Sequence, residues 1–328
     1  MDYTDIFRQT GHILRHSRVL WLTGFLALSL SLVSNLVMRL GGRWAMSRFW
    51  ANAAALDITL DNLIRRLSQP ALLVAGLVLL VVWFLLIWVV MTIGEGGMIH
   101  AAARAQRGQP TSFTQALSAG SDLLGPFVAI DTIVFFPLFV LLLTIMLIGA
   151  AAMILGLILG IQSGEVLSLA LPLIIGGLIV FFLSLFIVPL TLGTITFRSL
   201  AFRAAAMQKL GVRESIRHTW QLIRQKTGPV IAITALILGL GYLLGIVSFF
   251  ITAPLSFMEG LPNFNAMSGP LGPELILSPL TVVTTLLSAV FTFGLQVLTT
   301  VVTSTFWTVA YARLYESENA NPGSKIAM

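Results

Sequence analysis

The sequence predicts an all-α integral membrane protein that crosses the bilayer six times. Of its 328 residues, 57% are hydrophobic and 10% are charged, and the mean hydropathy is +0.95. Because a soluble domain carries about 25% charged residues, this composition is typical of a protein embedded in lipid. No stretch between the apolar runs is polar enough to fold as a soluble domain, so residues 1–328 are interpreted as a single polytopic membrane domain.

Six apolar runs are long enough to cross the hydrocarbon core, which requires about 20 residues of helix. They lie at about residues 20–40, 71–94, 127–148, 169–196, 229–251 and 279–311. Nearly uninterrupted apolar sequence follows the third run. Residues 149–168 therefore fit a loop helix, a re-entrant segment or an extra span, and an extra span would put the termini on opposite sides.

A short amphipathic helix followed by a span recurs three times along the chain. The copies are Phe7–Phe25 (FRQTGHILRHSRVLWLTGF), Ser112–Ile130 (SFTQALSAGSDLLGPFVAI) and Val212–Ile233 (VRESIRHTWQLIRQKTGPVIAI). The first and third are basic, whereas the second is nearly neutral. This pattern predicts cytoplasmic, basic amphipathic interfacial helices before spans 1, 3 and 5.

Basic residues are distributed unequally between the two sides of the predicted spans. With six spans, 14 Lys and Arg residues lie on the side of the termini, and five lie on the other side, all in the first loop. Cytoplasmic loops carry the excess of basic residues, so both termini are predicted to be cytoplasmic. On the outer side, LDITLDNLIRRL in the first loop predicts an amphipathic helix, and proline-rich residues 254–279 predict an irregular loop.

The loop after the fourth span is the most basic part of the chain and begins with Arg198 and Arg203. Its helical pattern predicts that Ile216, Trp220 and Ile223 face the acyl chains while the cations face headgroups. The candidate lipid- or partner-contacting residues are Arg213, Arg217, Trp220, Arg224 and Lys226. The alternative is a positive-inside loop that only fixes topology.

Polar residues within the spans are candidates for a transport path, because they are costly in lipid. Asp131 lies early in the third span, where it could instead be a capped or paired carboxylate. In the last span, one helical face carries Thr281, Thr285, Ser288, Thr292, Gln296, Thr299 and Thr303. The candidate path-lining residues are Asp131, Ser288, Thr292, Gln296 and Thr299. The alternative for this stripe is tight packing between helices.

Motifs for catalysis and cofactor binding are missing from the sequence. The chain contains no cysteine, which excludes thiolate metal sites, disulfides and cysteine nucleophiles. Its four histidines form no HExxH pair, and there is no Walker A loop or GxSxG elbow. We therefore expect a non-enzyme without a metal or another cofactor. The basic residues lie between apolar spans, so the expected partner is lipid and not nucleic acid.

The segments QALSAGSDLLGPF, ESIRHTWQLIRQKTGPVIAI and FRQTGHILRHSRVLWLTGF alternate with spans in a characteristic way. Most of the chain thereby resembles the prokaryotic multispan proteins related to the membrane domain of glycerophosphoryl diester phosphodiesterases. The resemblance implies a six-helix module of the prokaryotic cytoplasmic (inner) membrane, associated with lipids or a partner complex. The sequence stops about 17 residues after Tyr311, so we expect the phosphodiesterase barrel of some members to be absent.

Two functions fit these observations. The first is a non-catalytic accessory or structural subunit that contacts anionic lipid of the cytoplasmic leaflet and other membrane subunits or copies of itself. The alternative is a transporter, channel or lipid-moving protein with a path along the polar face of the last helix.

Overall fold

A computed structural model describes residues 3–44, 70–163, 166–267 and 279–319. These ranges are almost entirely helical and contain no β-strand. Six helical segments in these ranges are long and apolar enough to cross a membrane. This confirms the predicted all-α architecture with six helices of spanning length. The predicted amphipathic helix of the first loop lies outside the described residues.

The described ranges contain the following α-helices, in chain order. They are α1 (Tyr3–His16), α2 (Arg18–Leu36), α3 (Pro70–Gln106), α4 (Phe113–Asp122), α5 (Leu124–Ser163), α6 (Val166–Ser184), α7 (Ile187–Gln208), α8 (Val212–Gln225), α9 (Thr227–Met267) and α10 (Pro279–Asn319). A π-helical turn, Val37–Gly41, extends α2.

Several helices are longer than the predicted spans. Residues 149–163 continue α5 without a break, so the described part of this segment forms neither a separate loop helix nor a re-entrant turn. Likewise, α9 continues to Met267, so the first half of the predicted irregular loop at 254–279 is helical. The predicted fourth span at 169–196 is divided between α6 and α7 by a turn at Leu185 and Phe186, and the two helices together form one segment of spanning length. The helix α7 continues beyond residue 196 to Gln208, which places Arg198 and Arg203 within it. Apolar residues and helix formers continue across the predicted ends, and the isolated prolines there do not stop the helices.

Each predicted copy of the repeated unit consists of a short helix, one intervening residue and a long helix. The pairs are α1 and α2, α4 and α5, and α8 and α9, and the intervening residues are Ser17, Leu123 and Lys226. In α1 the buried residues precede Ser17 by eleven, seven and four positions, and in α8 they precede Lys226 by the same numbers. The first and third units therefore bury the same helical face.

The connections into α4 and α8 have matching geometry. Gly108 after α3 and Lys209 after α7 both adopt positive φ, at 70° and 56°, which reverses the chain at a helix C-terminus. Gln115 then caps α4: its N–H bonds Ser112 Oγ at 3.2 Å, and its Oε1 accepts from the Ser112 N–H at 3.3 Å. In α8, Glu214 Oε2 accepts from the Gly211 N–H at 3.3 Å. These caps satisfy otherwise free backbone groups.

The chain divides into two compact units. The first comprises Met1–Leu124 with Gly228–Met328, and its core lies where small residues let helices approach closely. A Cβ added at Gly24 would lie 2.3 Å from Val301 Cγ2, and one added at Gly94 would lie 2.4 Å from Ala27 Cβ. Glycine at both positions thus lets α2 pack directly on α3 and α10.

One end of the first unit is packed, whereas the rest of α3 is exposed. At the packed end, Phe7 of α1 contacts Phe306 of α10 with ring centroids 4.9 Å apart, and Asp5 pairs with Arg313. Met98, Ile99 and Ala101 of α3 are buried there. In contrast, Leu79 in the other half of α3 is 74% exposed. An exposed apolar helix surface of this kind is suited to contact with lipid.

The second unit, Gly125–Thr227, is organised around α7. A continuous stretch of α7 from Ser199 to Ala205 is buried, and the rings of Phe127 and Phe202 stack at 3.8 Å. The helix α8 packs against α7 and buries Ser215, Thr219 and Leu222. This packing determines which face of α8 is left exposed.

Candidate functional site

The exposed face of α8 carries a row of arginines and one tryptophan. Arg213, Arg217, Trp220 and Arg224 are all exposed. Their spacing of four, three and four residues places them within about 60° around the helix axis. We call these four residues the arginine–tryptophan stripe. It brings together four of the five residues predicted to contact lipid or partners.

The buried face of α8 fixes the direction of the stripe. Ser215 donates a hydrogen bond to the Leu210 carbonyl at 3.3 Å, and Leu222 is only 1% exposed. Ile216 and Ile223 are half-buried beside the packed face. Trp220 is exposed with the arginines and lies between them and the half-buried isoleucines around the helix axis. Lys226, the fifth predicted residue, is half-buried in the break between α8 and α9.

Aromatic contacts hold part of the stripe in place. The Arg224 guanidinium carbon lies 4.9 Å from the centroid of the Trp220 ring, a cation–π contact. Trp220 also lies near Phe197 of α7, with ring centroids 6.5 Å apart and ring planes tilted by 53°. Glu214, the acidic residue of α8, is engaged in capping the helix. The exposed face is thus cationic, with an indole at its centre.

Asp131 is part of a buried ion pair within the second unit. Arg198 of α7 donates from Nε to Asp131 Oδ1 at 2.6 Å and from Nη2 to Oδ2 at 3.4 Å. The Arg198 guanidinium also lies 4.2 Å from the centroid of the Phe202 ring, and Asp131 is 4% exposed. Of the two predictions for Asp131, this geometry matches the paired carboxylate.

Arg198 belongs to the predicted loop after the fourth span, so the sequence alone does not indicate it as the partner of Asp131. The signal available in the sequence was the cost of an unpaired carboxylate in a span, which calls for a cation at similar depth. Arg203 belongs to the same predicted loop, yet it is 1% exposed and donates to the Ser199 carbonyl at 2.6 Å. Both arginines are therefore structural parts of α7.

The polar stripe predicted on the last span is divided by the packing of α10. Ser288 is buried and accepts a hydrogen bond from Arg39 Nη1 at 3.2 Å, and Arg39 belongs to the π-helical turn. Thr292 and Thr299 are half-buried, and Gln296 is exposed. Thr299 donates to the Leu295 carbonyl of its own helix at 2.8 Å. The candidate path residues of α10 thus do not line one buried surface.

The polar stripe and the buried surface of α10 separate because they have different helical periods. The buried seam of α10 advances in steps of four, through Thr285, Ala289, Phe293, Val297 and Val301. Each step of four rotates by about 40°, so the seam turns by about 160° along this length. The polar stripe has a shorter average step and stays nearly straight. The two surfaces coincide near Ser288 and have separated at Gln296.

The fold and this surface define a class: a multispan helical protein that presents a cationic amphipathic helix beside its long apolar helices. Among the described residues, no three histidine, aspartate or glutamate side chains converge as ligands for a metal. Comparison with protein-family models, curated proteins and solved structures finds no match for this chain. Function is therefore inferred from side chains and their geometry.

Proposed function

We propose that this protein is a non-catalytic accessory or structural subunit of a prokaryotic cytoplasmic membrane, held to anionic lipid by the arginine–tryptophan stripe. The observation that carries the proposal is the outward face of α8, where three arginines flank an exposed tryptophan. Arginine pairs with phosphate through several hydrogen bonds, and tryptophan prefers the level of the lipid headgroups. Together they fit the surface of a bilayer.

The surrounding architecture supports a position at the membrane interface. The long apolar helix α9 begins one residue after α8 ends, so the stripe lies next to the start of a helix of spanning length. The excess of basic residues on this side of the chain supports a cytoplasmic orientation of α1, α4 and α8, and of both termini. The sequence resemblance to the membrane domain of glycerophosphoryl diester phosphodiesterases supports a prokaryotic inner-membrane location.

The expected strength of lipid contact follows from the number of cations. Each arginine near an anionic surface contributes about 1 kcal/mol, so the three arginines together supply about 3 kcal/mol, or roughly a 150-fold preference. This contribution falls with added salt, because the exposed side chains are screened. Such a preference is adequate to recruit anionic lipid to α8 in a mixed bilayer.

The direct test is lipid retention by the full-length protein. Native mass spectrometry in mild detergent would compare phosphatidylglycerol and phosphatidylcholine adducts for the unmodified chain and for Arg213→Gln, Arg217→Gln and Arg224→Gln combined. We expect the glutamine triple variant to lose the preference for phosphatidylglycerol. The matched lysine triple variant preserves charge and should retain most of it. Equal preference in the glutamine variant and the unmodified protein would refute lipid binding by the stripe.

The same spectra test the accessory role. Subunits or second copies that remain bound after mild extraction support an accessory or structural protein, whereas a bare monomer argues against it. Transport along α10 is less well supported, because Gln296 is exposed and Thr299 bonds to its own helix. Flux that is abolished by combining Gln296→Leu, Thr292→Val and Thr299→Val, with normal expression, would favour transport instead.

A further inference from the structure

A polar cleft lies between the end of α3 and the side of α4, within the first unit. It has a volume of about 450 Å³ and is lined by His100, Arg104, Thr114, Gln115, Ser118 and Asp122. This volume lies within the range of pockets that hold small molecules, roughly 300–1,000 Å³. The cleft is open to solvent over most of its surface, so a ligand there would be covered on one side only. None of these residues belongs to the arginine–tryptophan stripe or to the candidate path.

The cleft exists because small residues bring the two helices together on one side. A Cβ added at Gly97 would lie 3.0 Å from the Ala116 carbonyl oxygen, and one added at Gly120 would lie 2.1 Å from the Ile93 carbonyl oxygen. Ala116 and Gly120 are the buried residues of α4. The neighbouring strip of α4, with Thr114, Ser118 and Asp122 at successive steps of four, is exposed and faces the cleft.

One end of the cleft is cationic. Arg104 Nη1 donates to Gln115 Oε1 at 3.3 Å, and Gln115 is itself fixed by the cap of α4. The Arg104 Nε is buried below the surface, so an anion in the cleft would meet the terminal Nη–H groups of the guanidinium. His100 lies one turn earlier on α3, and the Thr114 hydroxyl lines the same cleft. These donors suit an anion that offers several oxygens, as a phosphate does.

The other end of the cleft is anionic. Asp122 is the last residue of α4 and is exposed. It lies seven residues after Gln115, about 10 Å along the helix. Because Arg104 bonds to Gln115, this rise approximates the separation of the cationic and anionic ends. A phosphate and an amine joined by two carbons span this separation when each group lies about 3 Å from its protein partner. A simple anion would make no favourable contact with the Asp122 carboxylate.

We propose that the α3–α4 cleft binds a zwitterionic phosphate ester that carries a primary amine, of the phosphoethanolamine type. Arg104 and His100 hold the phosphate, and Asp122 holds the ammonium group. Ser118 lies between them, where its hydroxyl can donate a hydrogen bond to the ester oxygen that bridges phosphorus and carbon. The same chemistry occurs in a phospholipid headgroup and in a free phosphate ester, so either source would occupy the cleft in the same orientation.

The test for a free ester uses the delipidated full-length protein in detergent and isothermal titration with O-phosphoethanolamine, inorganic phosphate and ethanolamine. We expect the zwitterion to bind more tightly than either fragment. Loss of a hydrogen bond to a charged group costs about 1.5–3 kcal/mol, so Arg104→Gln should weaken O-phosphoethanolamine binding by about 10- to 100-fold. Asp122→Asn should weaken binding of the zwitterion by about tenfold and leave the affinity for inorganic phosphate unchanged.

The matched control is Arg107→Gln, because Arg107 is exposed near the end of α3 and is not among the residues lining the cleft. It should leave both affinities unchanged. Asp122 is exposed, so Asp122→Asn keeps the proposal testable even if Arg104→Gln does not fold. Inorganic phosphate binding as tightly as the zwitterion, or an unchanged zwitterion affinity in Asp122→Asn, would overturn the assignment.

A second arm tests the lipid source. In nanodiscs, native mass spectrometry would compare retention of phosphatidylethanolamine with phosphatidylcholine, whose trimethylated amine cannot donate a hydrogen bond to Asp122. Preferential retention of phosphatidylethanolamine that disappears in Asp122→Asn supports a lipid headgroup, whereas binding of the soluble ester alone supports a free metabolite. Failure of both arms rejects the site, and it does so independently of lipid binding by α8.

Discussion

Gly120→Ala tests whether close backbone contact docks α4 on α3. Gly120 is buried in α4, and the added Cβ would lie 2.1 Å from the Ile93 carbonyl oxygen and 2.9 Å from the Gly97 nitrogen. Both contacts are with backbone atoms, so no side chain can rotate to make room. The helices must separate if the methyl group is to fit.

The size of the effect follows from this separation. Reaching even 3.0 Å from the carbonyl oxygen requires a movement of about 0.9 Å. A gap of about 0.5–1 Å forfeits roughly a quarter to a half of the dispersion energy of each contact, and overpacking costs about 1–3 kcal/mol. Part of this cost is offset, because alanine stabilises a helix by about 0.5–1 kcal/mol relative to glycine. We expect a net loss of about 1–2 kcal/mol in the docking of α4.

Hydrogen exchange of α4, read by mass spectrometry on the purified protein, measures this loss locally. A change of 1–2 kcal/mol raises the population of the opened state by about 5- to 30-fold, so peptides covering Phe113–Asp122 should exchange correspondingly faster. The control is Gly11→Ala in the middle of α1, where the new methyl group meets no atom within 4 Å. It should leave α4 unchanged. Equal or stronger protection of α4 in Gly120→Ala would refute the inferred backbone contact.

Three further predictions concern charged and polar side chains. Asp131→Ala leaves the guanidinium of Arg198, whose side chain is 22% exposed, without this carboxylate. We expect the free energy of unfolding to fall by about 3 kcal/mol, measured as a lower thermal midpoint. Adding Arg198→Gln to the same chain should partly restore that midpoint. The Asp5 and Arg313 side chains are 42% and 39% exposed, so a double-mutant cycle should give a coupling of about 1 kcal/mol or less, and a much larger value would contradict solvent screening. Gln296→Leu, on the exposed side of α10, should leave the thermal midpoint unchanged or raise it, whereas a marked drop would indicate that the amide makes a packed polar contact.

The repeated unit of a short helix and a span was predictable because its signals are local. Apolar length identifies a spanning helix, and the spacing of polar residues identifies the short helices. The structure has helices at all three predicted copies. The ends of the helices were less predictable, since apolar sequence continues past the length needed to cross a bilayer, as it does in α5 and α9.

The pairing of polar residues was not predictable in the same way. Asp131 and Arg198 are 67 positions apart, and Arg39 and Ser288 are 249 positions apart. Helical periodicity places each side chain on a face of its own helix but does not specify which helix that face meets. The cleft beside Arg104 has the same origin, because it depends on how closely Gly97 and Gly120 let α3 and α4 approach.

The sequence by itself determined the class of this protein: an all-α chain with six apolar helices, three short helices that precede spans, and a basic α8. Hydrophobicity and helical period are properties of neighbouring residues, so no tertiary contact is needed to recognise them. Tertiary structure alone decided which faces are used. Packing of Ser215, Thr219 and Leu222 left the arginine–tryptophan stripe on the exposed face of α8. The buried seam of α10 rotates away from Gln296, because buried contacts follow the crossing of helices and not the period of one helix.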